Sequence, residues 1–81
     1  DEKSGRYMEV FTDLPGIQFY TGNFLDGSLT GKEGAVYGKR SGLCFETQYF
    51  PNAINVPSFA QPVTKAGQTY HTVTEYKFSV K

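Results

Sequence analysis

Leu43-Cys44-Phe45-Glu46-Thr47-Gln48 is a short run without helical spacing, with a β-branched residue and an aromatic among its central positions. Read with a period of two, it places Leu43, Phe45 and Thr47 on one face of a strand. Cys44, Glu46 and Gln48 take the other face. Upstream, Ile17-Gln18-Phe19-Tyr20-Thr21 repeats the pattern: Ile17 and Phe19 point one way, Gln18 and Tyr20 the other. Arg6 to Thr12 also alternates and reads as a strand. Asp13-Leu14-Pro15-Gly16 ends it, with Pro before Gly in the order a type II turn favours. Downstream, Phe50-Pro51 and Val56-Pro57 impose an irregular loop, because Pro donates no hydrogen bond and biases its predecessor to extended geometry. After a turn near Ala66-Gly67, Thr69 to Val80 reads as the longest strand, with Tyr70, Thr72, Thr74, Tyr76, Phe78 and Val80 along one side. No segment has helical periodicity. Six Tyr, seven Phe, nine Gly and four Pro complete the picture of short aromatic strands joined by turns, and the fold class is all-β.

From Gly22 to Gly42 glycines are too frequent for a regular element, apart from a short strand at Ala35-Val36-Tyr37. A loop of about twenty residues is longer than compact domains ordinarily use and is more often functional than accidental. With 81 residues the chain is one domain at most, and a core of that size is marginal without staples. One cysteine excludes an internal disulfide, and one histidine excludes a Cys/His metal cluster. The four or five strands leave long edges unpaired, so the chain is expected to be part of a larger sheet assembly. Eight basic and eight acidic side chains cancel, leaving no electrostatic footprint for nucleic acid or an anionic membrane. No apolar run approaches the roughly 18 residues of a membrane helix. The charged start, Asp1 to Arg6 without an initiator Met, reads neither as a signal peptide nor as a natural chain start. The lone Cys and the lack of an Asn-x-Ser/Thr sequon lean towards a cytoplasmic setting.

Glu46 stands out for its place between Phe45 and Thr47, on a strand otherwise fit for burial. A buried carboxylate costs several kcal/mol unless paired, and burial raises its pKa towards the range of a general base. The plainer readings are an exposed strand glutamate or one arm of an ion pair, and the neighbours alone favour these.

Two longer stretches carry a resemblance. Pro15-Gly-Ile-Gln-Phe-Tyr-Thr-Gly-Asn-Phe24 is similar to the PG-[ILV]-QFYTGN-[FY] signature of the aldose 1-epimerase (galactose mutarotase) family. Ser41-Gly-Leu-Cys-Phe-Glu-Thr-Gln-Tyr-Phe-Pro-Asn-Ala-Ile-Asn55 resembles its SG-x-x-x-ETQ-x-[FY]PDA-x-N signature, and Gly67 through Ser79 looks like its final strand. The resemblance covers essentially the whole chain, in order. It departs at Gly38, where Pro is usual, and at Asn52, where Asp is usual.

The resemblance implies the C-terminal part of a galactose mutarotase-like β-supersandwich of antiparallel strands, whose N-terminal part lies outside these residues. It implies an isomerase that interconverts the α and β anomers of aldoses such as galactose and glucose, without metal or organic cofactor. Glu46 matches the catalytic base and Gln18 a glutamine lining the sugar site. Read alone, Gln18 is equally an amide satisfying a strand end. The family's acid, a histidine, has no match here: His71 falls in the last strand, outside the matching motifs. On this reading the isolated chain is inactive, and its partners are an aldose sugar and either the absent N-terminal part or a second copy meeting an exposed strand edge. Cys44 reads as an inert buried thiol, and Lys39-Arg40 as solvated loop charge or a support beside Glu46. The aromatics admit another class, a non-catalytic carbohydrate-binding β-domain, against which the absence of Trp argues. A third is a structural fragment completing another chain's sheet.

Overall fold

A computed structural model describes residues 1–81. The chain divides into two units, Asp1–Gly16 with Thr47–Lys81, and Ile17–Glu46.

In the first unit, β1 (Arg6–Thr12) pairs antiparallel with β4 (Thr74–Val80), from Arg6 opposite Val80 to Thr12 opposite Thr74. Alternation puts Met8, Val10, Tyr76, Phe78 and Val80 on one face and Glu9, Glu75 and Lys77 on the other. Lys77 Nζ lies 3.8 Å from Glu9 Oε2, but both groups are solvated, so the pair contributes little. The strand expected from Thr69 begins only at Thr74, because its partner ends at Thr12. The Val73 N–H donates to Asp13 Oδ1 at 3.1 Å, and its carbonyl accepts from the Asp13 amide at 3.4 Å and the Thr12 hydroxyl at 3.2 Å. With those groups taken and no ladder beyond, residues 69–73 stay irregular.

Gly16 corrects a second expectation. It does not take the positive φ of a type II turn but opens β2 (Gly16–Tyr20). Its smallness is needed for close approach: a Cβ there would lie 2.7 Å from the Phe50 ring. The turn at Ala66-Gly67 does form, with Gly67 at φ 84° and the Gln68 amide on the Lys65 carbonyl at 3.0 Å.

The loop after β3 (Cys44–Gln48) is knotted around one side chain. Its 3₁₀ turn, Ala53–Asn55, starts from Asn52 at φ 61°, a left-handed conformation that Asn tolerates well. The Gln61 amide nitrogen donates to the carbonyls of Ala53, Val56 and Phe59 at 2.8, 3.0 and 3.0 Å. Beside it the Phe50 and Phe59 rings meet edge to face at 5.0 Å. Ala53, 2 % exposed, is the buried apolar side chain of this unit. Gln61→Ala is therefore expected to lower stability by about 1–3 kcal/mol, since it removes three hydrogen bonds each worth on the order of 1 kcal/mol, while the Ala53 and Val56 carbonyls keep the Val56 and Phe59 amides. The urea midpoint of a full-length protein carrying these residues reads this out, and an unchanged midpoint would show that the amide holds nothing together.

The second unit holds most of β2, the start of β3 and the loop between them. That loop is ordered. Gly27 N–H donates to the Tyr37 carbonyl at 2.9 Å, Tyr37 N–H to Leu29 at 3.0 Å and Gly31 N–H to Ala35 at 2.7 Å. The expected strand at Ala35–Tyr37 is reduced to one bridge, Thr30 with Val36, around the 3₁₀ turn Lys32–Gly34. Gly38, where the family usually has Pro, has open space where a side chain would be. Hydrogen bonds from the Ser28 hydroxyl and amide hold the exposed Asp26 carboxyl below its ordinary pKa.

The all-β expectation is met: four strands in two two-stranded sheets, with two three-residue 3₁₀ turns as the only helix. No helix is long and apolar enough to cross a membrane. Each strand keeps one unpaired edge. Gly22 and Ala53 are the buried residues, whereas Phe24 is 90 %, Phe78 74 % and Val80 77 % exposed.

Candidate functional site

β2 and β3 pair side by side, and three contacts give their register. Gly16 abuts the Gln48 carbonyl, the Phe19 and Phe45 rings stack at 4.7 Å and 7°, and Gly22 abuts the Gly42 carbonyl. Three residues forward on the first segment match three backward on the second each time, so the strands run antiparallel. Gln18 then stands opposite Glu46. Phe19 and Phe45 share one face, and alternation places Gln18 and Glu46 together on the other. Directly opposed residues on one face have Cβ atoms about 5 Å apart. One polar group from each strand can thus meet a single small molecule.

Both side chains are exposed. The plainer reading of Glu46, an exposed strand glutamate, describes its surroundings in this chain, since no ion pair engages it. A free carboxylate accepts protons and hydrogen bonds, and an amide both donates and accepts. The pair can therefore orient a hydroxyl and remove its proton. Farther along the same face of β2, the half-buried Tyr20 accepts a hydrogen bond from the Phe24 amide at 3.0 Å. Its ring stacks on Phe24 at 6.2 Å.

The remaining candidates separate. Cys44 is a free, half-buried thiol. His71 is exposed and lies in the irregular stretch before β4, not within a strand. No group of His, Cys, Asp and Glu could hold a metal ion. Lys39 is exposed, but Arg40 is more than solvated charge: its Nε donates to Asn23 Oδ1 at 3.3 Å, and the Asn23 amide donates to the Thr21 hydroxyl at 2.9 Å. Sequence reasoning missed Asn23. The available signal was its place straight after Gly22, where β2 gives way to the loop.

Residues 1–77 match the family model described as Aldose 1-epimerase. The chain is 57% identical over 77 residues to galactose mutarotase of Mus musculus and 60% identical to that of Sus scrofa, each match covering 95% of this chain and 22% of the relative. It is 38% identical over 74 residues to aldose 1-epimerase of Escherichia coli (strain K12), covering 88% of this chain and 21% of that protein. The chain thus spans about a fifth of the length of the curated relatives it matches.

Proposed function

The chain belongs to the aldose 1-epimerase family, and from that premise we propose that it supplies the general base and one sugar-binding amide of a longer mutarotase acting on hexoses such as galactose and glucose. The observation that carries the reading is the opposition of Gln18 and Glu46 on one face of β2–β3. In the proposed reaction the Glu46 carboxylate takes the proton of the anomeric hydroxyl. An acid protonates the ring oxygen, the bond from C1 to that oxygen breaks, and C1 becomes an aldehyde. Rotation about C1–C2 presents the other carbonyl face, and the reverse transfers close the opposite anomer. Base and acid act on different oxygens of one hemiacetal. The family resemblance implies that the acid is a histidine from outside residues 1–81; His71 is exposed and lies in the irregular stretch before β4. Gln18 holds a sugar hydroxyl so that the anomeric oxygen meets Glu46.

Polarimetry of freshly dissolved α-D-galactose tests the reading on a full-length polypeptide carrying these residues. The wild type is expected to hasten the drift in rotation. Gln18→Ala is expected to raise KM on the order of 10-fold, the effect of one lost hydrogen bond, with a smaller change in kcat. Sugar binding with no acceleration over buffer would overturn the enzyme reading in favour of a carbohydrate-binding domain.

A further inference from the structure

The pairing of Gln18 with Glu46 depends on a register that β2 and β3 themselves secure chiefly through one ring pair, Phe19 on Phe45. The strands are five residues each, and a slip of one residue would send either side chain to the opposite face. The loop joining them is long, and its own turn at Lys32–Gly34 lies far along the chain from both strand ends. Just beyond the strand ends lies a tight cluster. Gly22 is buried at φ 72°, and its carbonyl accepts hydrogen bonds from the amides of Leu25 at 3.3 Å and Arg40 at 3.0 Å. A Cβ on Gly22 would fall 2.6 Å from the Gly42 carbonyl oxygen. Arg40, itself at φ 63°, reaches back through Nε to Asn23 Oδ1. Gly22 and Gly42 fall on the same register as Phe19 with Phe45, three residues forward on the first segment and three back on the second.

We infer that Gly22, Gly42 and the Arg40–Asn23 bond form a clasp that fixes the β2–β3 register and so acts as a positioning device for Gln18 and Glu46. The inference rests on the function proposed above for those two side chains. Glycine is needed at position 22 for two reasons: the left-handed backbone and the backbone-to-backbone approach to Gly42. The Arg40–Asn23 bond closes the far side of the approach, where the loop would otherwise pull the ends apart. The clasp touches no reacting atom. Its effect reaches the sugar through where Gln18 and Glu46 stand.

The test compares variants of a full-length polypeptide carrying these residues, assayed with α-D-galactose by polarimetry. Gly22→Ala is expected to lower kcat/KM on the order of 10²-fold, the loss that a misplacement of about 1 Å causes. The loss should appear in both kcat and KM, because base and binding amide move together. Asn23→Leu should give a smaller loss in the same sense, and Asn23→Asp, which keeps an acceptor for Arg40, should restore it. Gly38→Ala, in open space of the same loop, should change nothing. Ala53→Gly serves as a stability control: it loosens the other buried position and should lower Tm without changing kcat or KM. If Gly22→Ala lowers only Tm, as Ala53→Gly does, the clasp is structural filler and the inference falls. The proposed function fails separately, through equal rates for wild type and Glu46→Gln.

Discussion

In a full-length polypeptide carrying these residues, Glu46→Gln is expected to leave the fold and sugar binding intact while reducing turnover on the order of 10²–10⁴-fold. Glutamine has almost the same shape as glutamate and sits as well on an exposed strand position. Its amide can still hydrogen-bond the anomeric hydroxyl, so KM should move little. It cannot accept the proton, and the reaction requires that transfer in both directions. A loss confined to kcat is the signature of a group acting in the transition state. Glu46→Asp gives a graded check, because it keeps the base but draws the carboxylate back by one methylene. It should be slower than wild type and faster than Glu46→Gln. Rates for Glu46→Gln within a few-fold of wild type would remove Glu46 from the base role, whatever the family. The polarimetric drift of α-D-galactose, with Tm measured on the same samples, separates these outcomes.

What the sequence made legible here was local. Alternation within each short strand put Gln18 and Glu46 on the face opposite its aromatic, and the pairing that stacks Phe19 on Phe45 brings those two faces together. β1 was legible end to end for the same reason. What escaped depended on distant partners. β4 starts late because β1 stops at Thr12 and Asp13 occupies Val73, some sixty residues away in the chain. Gly16 has the composition of a turn but is needed for its approach to Phe50, a contact that no dipeptide rule contains. Arg40 looked like free charge because Asn23, its acceptor, is seventeen residues upstream and comes near only once the strands pair. The family motifs marked Gln18 and Glu46 as candidates, but they could not say whether Glu46 would be buried. In this chain it is open to solvent.

The isolated 81-residue chain is expected to self-associate and to leave the mutarotation of galactose at the buffer rate. Two-stranded sheets are at best marginally stable by themselves in water, and this chain has two of them, with every strand open along one edge. Phe78 and Val80 lie uncovered on the apolar face of β1–β4, and Phe24 stands almost free in the loop after β2. Each apolar side chain left in water forgoes about 1.5–3 kcal/mol that burial would bring. Open edges and bare rings together favour pairing with another copy over remaining a monomer. Sedimentation velocity over a range of concentrations should therefore show mass rising with concentration, and thermal melting followed by circular dichroism should be broad. A monomer with a sharp cooperative melt would mean that these residues are a self-sufficient domain. Under the proposed mechanism catalysis is expected to fail for a separate reason: a base without a positioned acid must use water to protonate the ring oxygen, and only part of a pocket holds the sugar. Polarimetry at increasing chain concentration tests this independently of folding in the full-length protein. Acceleration proportional to concentration would mean that His71 supplies the acid within one chain, and a steeper dependence would mean that a second copy does. Either result would overturn the assignment of the acid to residues outside this segment.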